Sequence, residues 1–239
     1  LKLKNLIKPI ILIILPVALV YRKTDLGTTI LIAIGGITLL FAAGVRLWIF
    51  VASAVALIPA TIGFWQFLKP YQKQRILTFL DPEKDPLGAG YHIIQSKIAL
   101  GSGGIYGKGF IQGTQSQLNF LPEKHTDFIF TVIAEELGLI GGLVLLLLYL
   151  ILLGYAMLIS ISVKSQFGRL LVLGMATTFF LYMFINIAMV MGLLPVVGVP
   201  LPLVSYGGSA MLTLLVGFGF IFSASIHKET YIPRGGSFA

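Results

Sequence analysis

Uncharged apolar runs, each close to the length of a membrane span, alternate with short polar punctuation along most of this chain. A spanning helix needs about 20 apolar residues, because the hydrocarbon layer is about 30 Å thick and a helix rises about 1.5 Å per residue. The pattern predicts helices near residues 26–45, 47–68, 129–163, 170–192 and 203–226. The last two are separated where Pro195, Gly198, Pro200 and Pro202 interrupt one long uncharged run. A sixth, near residues 9–21, is shorter and carries Pro16, so it is expected to tilt, kink or lean on snorkelling lysines. Residues 69–128 depart from the pattern as one large polar connection. The expected fold class is all-α: a single polytopic membrane domain over residues 1–239, a bundle of six transmembrane helices with one large extracytoplasmic loop.

Composition agrees, with 57% hydrophobic and 11% charged residues against about 25% charged in an ordinary soluble domain. There is no cysteine, hence no disulfide frame and no thiolate metal site. The basic start resembles a signal peptide, but no small-x-small cleavage site follows, so it is read as a mature helix. A first residue that is Leu rather than Met suggests a fragment.

Charge fixes the expected orientation. With alternate connections on alternate sides, one face receives Lys2, Lys4, Lys8, Arg46, Lys164, Arg169, Lys228 and Arg234, while the short connections opposite receive Arg22 and Lys23. That imbalance places the first face, and the carboxy terminus, in the cytoplasm. The long connection is exempt by its length and holds Lys69, Lys73, Arg75, Lys84, Lys97, Lys108 and Lys124 with five carboxylates. It is the expected place for a polar substrate. The formal charge of +8 thus reflects orientation, and no basic run interleaved with aromatics points to nucleic acid.

Within that loop, residues 91–100 read as a short helix that lies along the membrane surface or packs over the bundle mouth. Glycines at 101, 103, 104, 107 and 109 miss both nucleotide-binding spacings; they read as a tight backbone turn or an anion cradle beside Lys108. Asp81, Glu83 and Asp85 begin like a calcium loop, but Pro86 and His92 occupy positions that need Gly and Glu. The three histidines lack metal-ligand spacing. The densest chemistry lies at residues 121–130, where charged and hydrogen-bonding groups meet the start of an apolar run. Such groups cost roughly 2.5 to 3.5 kcal/mol each at a bilayer centre, so a cluster at the rim marks a work site. Asp127 suits an N-cap, and the positive helix end would both keep it ionised and attract anions. Thr131 and Glu135 follow at intervals of four, a polar stripe entering the membrane, with function and buried structural hydrogen bonding both open.

At these residues the chain resembles the shape, elongation, division and sporulation (SEDS) family of bacterial cell-wall polymerases, in its elongation (RodA-type) branch. The strings that carry the likeness are Asp25-Leu26-Gly27-Thr28, Asp85-Pro86-Leu87-Gly88-Ala89-Gly90-Tyr91-His92, Gln95-Ser96-Lys97-Ile98-Ala99, Gly113-Thr114-Gln115-Ser116-Gln117-Leu118, residues 121–130, Pro200-Leu201-Pro202 and Ser205-Tyr206-Gly207-Gly208-Ser209. The departures are Thr24, where the family usually has Pro, and Ala210, where a second Ser is common. Family members resemble ten-helix proteins, so the six helices here correspond to the fifth through tenth.

The resemblance implies glycan polymerisation from lipid II during cell elongation, in a multi-pass protein of the bacterial inner membrane. Its donor carries its own pyrophosphate leaving group, so single inversion asks for one base and positive charge rather than two carboxylates. Asp127 occupies the family's base position. Lys97, Lys108 and Lys124 are the expected screen for pyrophosphate, Glu123 and His125 are expected to orient the loop, and Ser205 and Ser209 belong to a signature that lines the cavity or packs helices closely. A divalent cation would share the screening, though its ligands are not legible. Implied partners are lipid II, a class B penicillin-binding protein transpeptidase, the elongation machinery and membrane lipid. A lipid II flippase and a noncatalytic scaffold for the transpeptidase remain competing readings.

Overall fold

The computed structural model describes residues 6–23, 25–53, 55, 70–85, 88–117 and 125–230. Among them the regular structure is entirely helical: α1 (Ile7–Arg22), α2 (Leu26–Ala42), α3 (Pro70–Leu80), a 3-10 turn (Pro82–Lys84), α4 (Ala89–Ser102), α5 (Thr114–Gln117), α6 (Ile129–Ser162), α7 (Gln166–Val190) and α8 (Gly208–Ile226). Residues 47–53 are also helical; most of the span expected at 47–68 lies outside the described residues. Three helices, α6, α7 and α8, are long and apolar enough to cross a membrane, and α2 is a shorter apolar helix.

The observed boundaries follow local chemistry. Asp25 starts α2 by accepting from the Thr28 amide at 3.0 Å and the Thr28 hydroxyl at 2.7 Å, which satisfies an otherwise orphaned helix-start donor. Ser165 caps α7 in the same way, accepting from Gly168 N. The expected helix at 170–192 begins earlier, at Gln166, because that cap opens it. The helix expected at 203–226 begins only at Gly208: Leu203, at φ +61°, holds the proline-rich segment in a turn.

Helix α7 is the centre of the bundle, packed against α2, α6 and α8. Near its carboxy-terminal end, Phe179, Met183, Met189 and Val190 form a core with Phe128, Phe130, Tyr149 and Leu201. Edge-on ring contacts link Tyr149 to Phe179 at 5.5 Å and Phe179 to Phe218 at 5.4 Å, the arrangement favoured by the ring quadrupole. At the other end Ala156, Ile159, Val163, Val172, Ala176 and Ile221 make a second core. There Lys164 pairs with Glu229 and holds its carboxyl below the ordinary value. That pairing is complete above the unfolded carboxyl pKa and is lost as pH falls through the folded one.

Helix α6 contains the main departure from a simple span. Gly138, at φ +68° and ψ −164°, breaks it into two pieces. A break frees carbonyls on one side and amides on the other, all of which need partners away from water. The glycine-rich loop supplies them. Lys108 N and Gly109 N donate to the carbonyls of Glu135 and Glu136, both at 3.0 Å, while Leu139 N and Ile140 N donate to the carbonyls of Gly104 and Ile105 at 2.9 and 3.2 Å. The anion-cradle reading of this loop is therefore corrected: the Lys108 and Gly109 amides are spent on the broken helix.

The loop helix also settles its placement. Residues 93, 96 and 99 of α4 are buried, whereas Ile98 is exposed. Ser96 fixes α4 to the bundle by donating to the Val190 carbonyl at 2.7 Å and by bonding to the Thr131 hydroxyl at 3.0 Å.

Close approach makes Gly107 intolerant. A Cβ there would stand 2.1 Å from the Glu136 carbonyl oxygen, at φ +79°. Gly107→Ala is expected to cost about 2 kcal/mol or more, read as a lower thermal midpoint in detergent. Gly154→Ala, whose Cβ meets nothing within 4 Å, is expected to be neutral.

Candidate active site

The turn that carries Asp127 is held by its own backbone. Three consecutive carbonyls, those of His125, Thr126 and Asp127, accept respectively from Tyr206 N at 2.9 Å, Ser205 Oγ at 2.6 Å and Asn186 Nδ2 at 2.8 Å. The donors are themselves fixed. Ser205 Oγ accepts from Leu201 N at 2.7 Å, Asn186 Nδ2 also donates to the Val199 carbonyl at 2.7 Å, and Tyr149 OH donates to the Pro202 carbonyl at 2.6 Å. Phe128, fully packed in the core, anchors the turn from below. The proline-rich connection between α7 and α8 thus grips the residues just before α6.

This places the Asp127 carboxylate over the Gly198 turn, with Oδ2 3.4 Å from where a Cβ on Gly198 would stand. Gly198 borders a cleft of about 310 Å³ whose walls include Thr28, Tyr182, Pro200, Ser209 and Thr213. That volume lies in the range of about 300–1,000 Å³ typical of small-molecule sites. On the other side of the same connection, a groove of about 720 Å³ is lined by His125, Ser205, Tyr206, Gly207 and neighbouring apolar residues. Asp127 is half-buried, so its side chain is neither sealed in the core nor fully in solvent.

The expected site residues divide into two groups. Asp127, His125, Ser205 and Ser209 gather around the α7–α8 connection. Lys108, Thr131 and Glu135 belong to a separate cluster beneath the loop. Glu135 has no exposed surface; Lys108 Nζ lies 2.8 Å from its Oε1, and Gln115 N donates to the same oxygen at 2.9 Å. A buried carboxylate demands such partners, which corrects the expectation that Lys108 screens pyrophosphate. Lys108 Nζ also donates to Thr114 Oγ1 at 2.8 Å. Thr131 and Glu135, on the first piece of α6, turn to α4 and the loop and are structurally bonded.

Two further expectations change. Helix α6 has its cap position at Phe128, without a side-chain cap, so Asp127 precedes the cap rather than forming it. Ser205, 6% exposed, still borders the groove and adds a bracing role, its hydroxyl donating to the Thr126 carbonyl and accepting from Leu201 N. Lys97 is exposed and its ammonium rests by the Gly192 turn that ends α7, where a cation is favoured by the helix dipole. Glu123 and Lys124 lie outside the described residues. Sequence reasoning missed Asn186, wholly buried. A lone amide in an uncharged apolar run was the available signal.

Residues 1–230 match the FTSW_RODA_SPOVE family of cell cycle proteins. The chain belongs to this family. It is 54% identical over 229 residues to the peptidoglycan glycosyltransferase MrdB of Escherichia coli strain K12, a match covering 95% of this chain and 62% of that protein. It is 44% identical over 161 residues to the peptidoglycan glycosyltransferase RodA of Treponema pallidum, covering 67% and 37%. A solved chain from work on structural coordination of polymerization and crosslinking by a peptidoglycan synthase complex superposes with a TM-score of 0.77 at 33% identity, over 92% of this chain and 61% of that one. The chain therefore spans about three fifths of the length of its Escherichia coli relative. Family membership agrees with the motif resemblance and with the exposed apolar helices of an integral membrane protein.

The Lys108–Glu135 pair predicts an asymmetric mutational response. Lys108→Met, which leaves the buried carboxylate without its cation, is expected to cost about 3 kcal/mol or more. Adding Glu135→Leu is expected to recover most of that loss, as measured by thermal midpoints of the single and double variants.

Proposed function

We propose that the chain forms the catalytic portion of a peptidoglycan glycosyltransferase that polymerises lipid II into glycan strands during cell elongation. The observation that carries the reading is the half-buried Asp127 carboxylate beside Gly198, a residue that borders a cleft of about 310 Å³, on a turn whose three carbonyls are locked. A base must stand within hydrogen-bond reach of the proton it takes, and a rigid backbone holds it there. Asp127 accepts the proton of the acceptor sugar hydroxyl as that oxygen bonds to the donor's anomeric carbon. The bond from that carbon to the pyrophosphate oxygen breaks with inversion, and undecaprenyl pyrophosphate leaves with the electron pair. Lys97 and Lys124 are the cations proposed to meet it, since Lys108 is committed to Glu135.

In this reading six helices cross the bacterial inner membrane, residues 69–128 form the outer loop, and the carboxy terminus is cytoplasmic. A class B penicillin-binding protein is the proposed partner, in line with the synthase complex that contains the structural relative. The flippase reading asks for key charges through the depth of the membrane. Helices α7 and α8 beyond Arg169 carry none.

The test supplies purified lipid II to the full-length protein with its transpeptidase and resolves glycan strands on a gel. Asp127→Asn is expected to lower polymer formation by about 10² to 10⁴-fold while expression and partner binding persist. Normal strands from that variant would remove Asp127 from the base role. Fluorescent lipid II crossing between leaflets with the variant unimpaired would favour the flippase.

A further inference from the structure

Residues 105–111 are built inside out for a loop bathed in water. Their one charged side chain, Lys108, turns inward to Glu135 and Thr114. Their apolar side chains turn outward: Ile105 is 59% exposed, Tyr106 82%, Phe110 76% and Ile111 60%. Positive φ at Gly104, Gly107 and Gly109 turns the chain within the short segment that carries these four exposed side chains. Ile111 itself sits at φ +62°, a conformation that a β-branched residue adopts only when its surroundings impose it.

The height of this segment is fixed as well. Leu139 N and Ile140 N bond to the carbonyls of Gly104 and Ile105, so the loop tip lies level with the start of the second piece of α6. Residues 139–162 rise roughly 36 Å, enough to span the hydrocarbon. Their outer face begins at that level with exposed Leu139, Ile140, Leu143, Val144 and Leu147. The apolar loop tip therefore continues the upper margin of the lipid-facing belt, and it carries a tyrosine at the height where amphipathic rings favour the membrane–water interface.

We propose that residues 105–111 form a finger seated in the interfacial layer of the lipid bilayer, with Tyr106 and Phe110 as its anchors. Its occupant is the lipid surface. The finger pins the loop, and through Lys108 the Glu135 cluster, at a set depth beside the break in α6. This rests on the membrane span of α6 and not on the glycosyltransferase reading.

The chain contains no cysteine, so single nitroxide labels can be placed by Tyr106→Cys or Phe110→Cys in the full-length protein, made cysteine-free and embedded in nanodiscs. Lys84→Cys, on an exposed side chain, reports water; Leu147→Cys reports the bilayer. Collisions with oxygen, which concentrates in lipid, and with a water-soluble nickel chelate are compared. The expected result is that labels at 106 and 110 favour oxygen over nickel, between the two controls and clearly shifted from position 84. Nickel accessibility equal to that at position 84 would overturn the proposal by placing the loop in water. Weak collision with both reagents would overturn it equally, by showing that protein covers the loop.

Discussion

Everything at the candidate site depends on one constraint: the carbonyls of His125, Thr126 and Asp127 must be satisfied where a chain enters a hydrophobic bundle. Buried backbone acceptors without partners are costly, and this turn cannot satisfy its own. The α7–α8 connection supplies one amide and one hydroxyl, and α7 itself supplies the Asn186 side-chain amide. Two of those donors follow a segment that holds Pro195, Pro200 and Pro202 and the third stands on α7, so the grip fixes the backbone from which the Asp127 carboxylate projects. Polar groups in the apolar run of α7 therefore serve geometry first: Asn186 ties the aspartate's own carbonyl to that of Val199.

The same rule governs the break at Gly138. Interrupting a membrane helix releases donors and acceptors that lipid cannot satisfy, so a second element must lie alongside. The glycine-rich loop approaches closely enough only because Gly103 and Gly107 lack a Cβ, which would fall 2.0 and 2.1 Å from carbonyl oxygens of α6. Glu135 then finds a lysine ammonium and the Gln115 amide. Break and loop form one unit, since removing either leaves backbone groups of the other without a partner, and the ion pair lies beside them.

Two locked assemblies thus flank Asp127 along the chain, one from the carboxy-terminal connection and one from the loop that precedes it. Clefts on either side of the connection leave room for ligand, while the scaffold between them is braced at both ends. Such a division, with rigid backbone and open walls, is what a site needs if a side chain is to meet a large polar substrate at a fixed distance.

The sequence by itself determined the helical class, the apolar runs of α6, α7 and α8, and the family. Those follow from segment length, charge placement and local strings, which depend on neighbours along the chain. It placed Lys108 in a substrate role and Asp127 in a cap, and it passed over Asn186, because each of those assignments turns on residues far apart in sequence. Only the tertiary structure paired Lys108 with Glu135, used the Ser205 hydroxyl as a brace and drove the glycine loop into the kink. The physical reason is common to all three: which polar groups must find partners inside the bundle is written locally, but which partners they find is decided by packing.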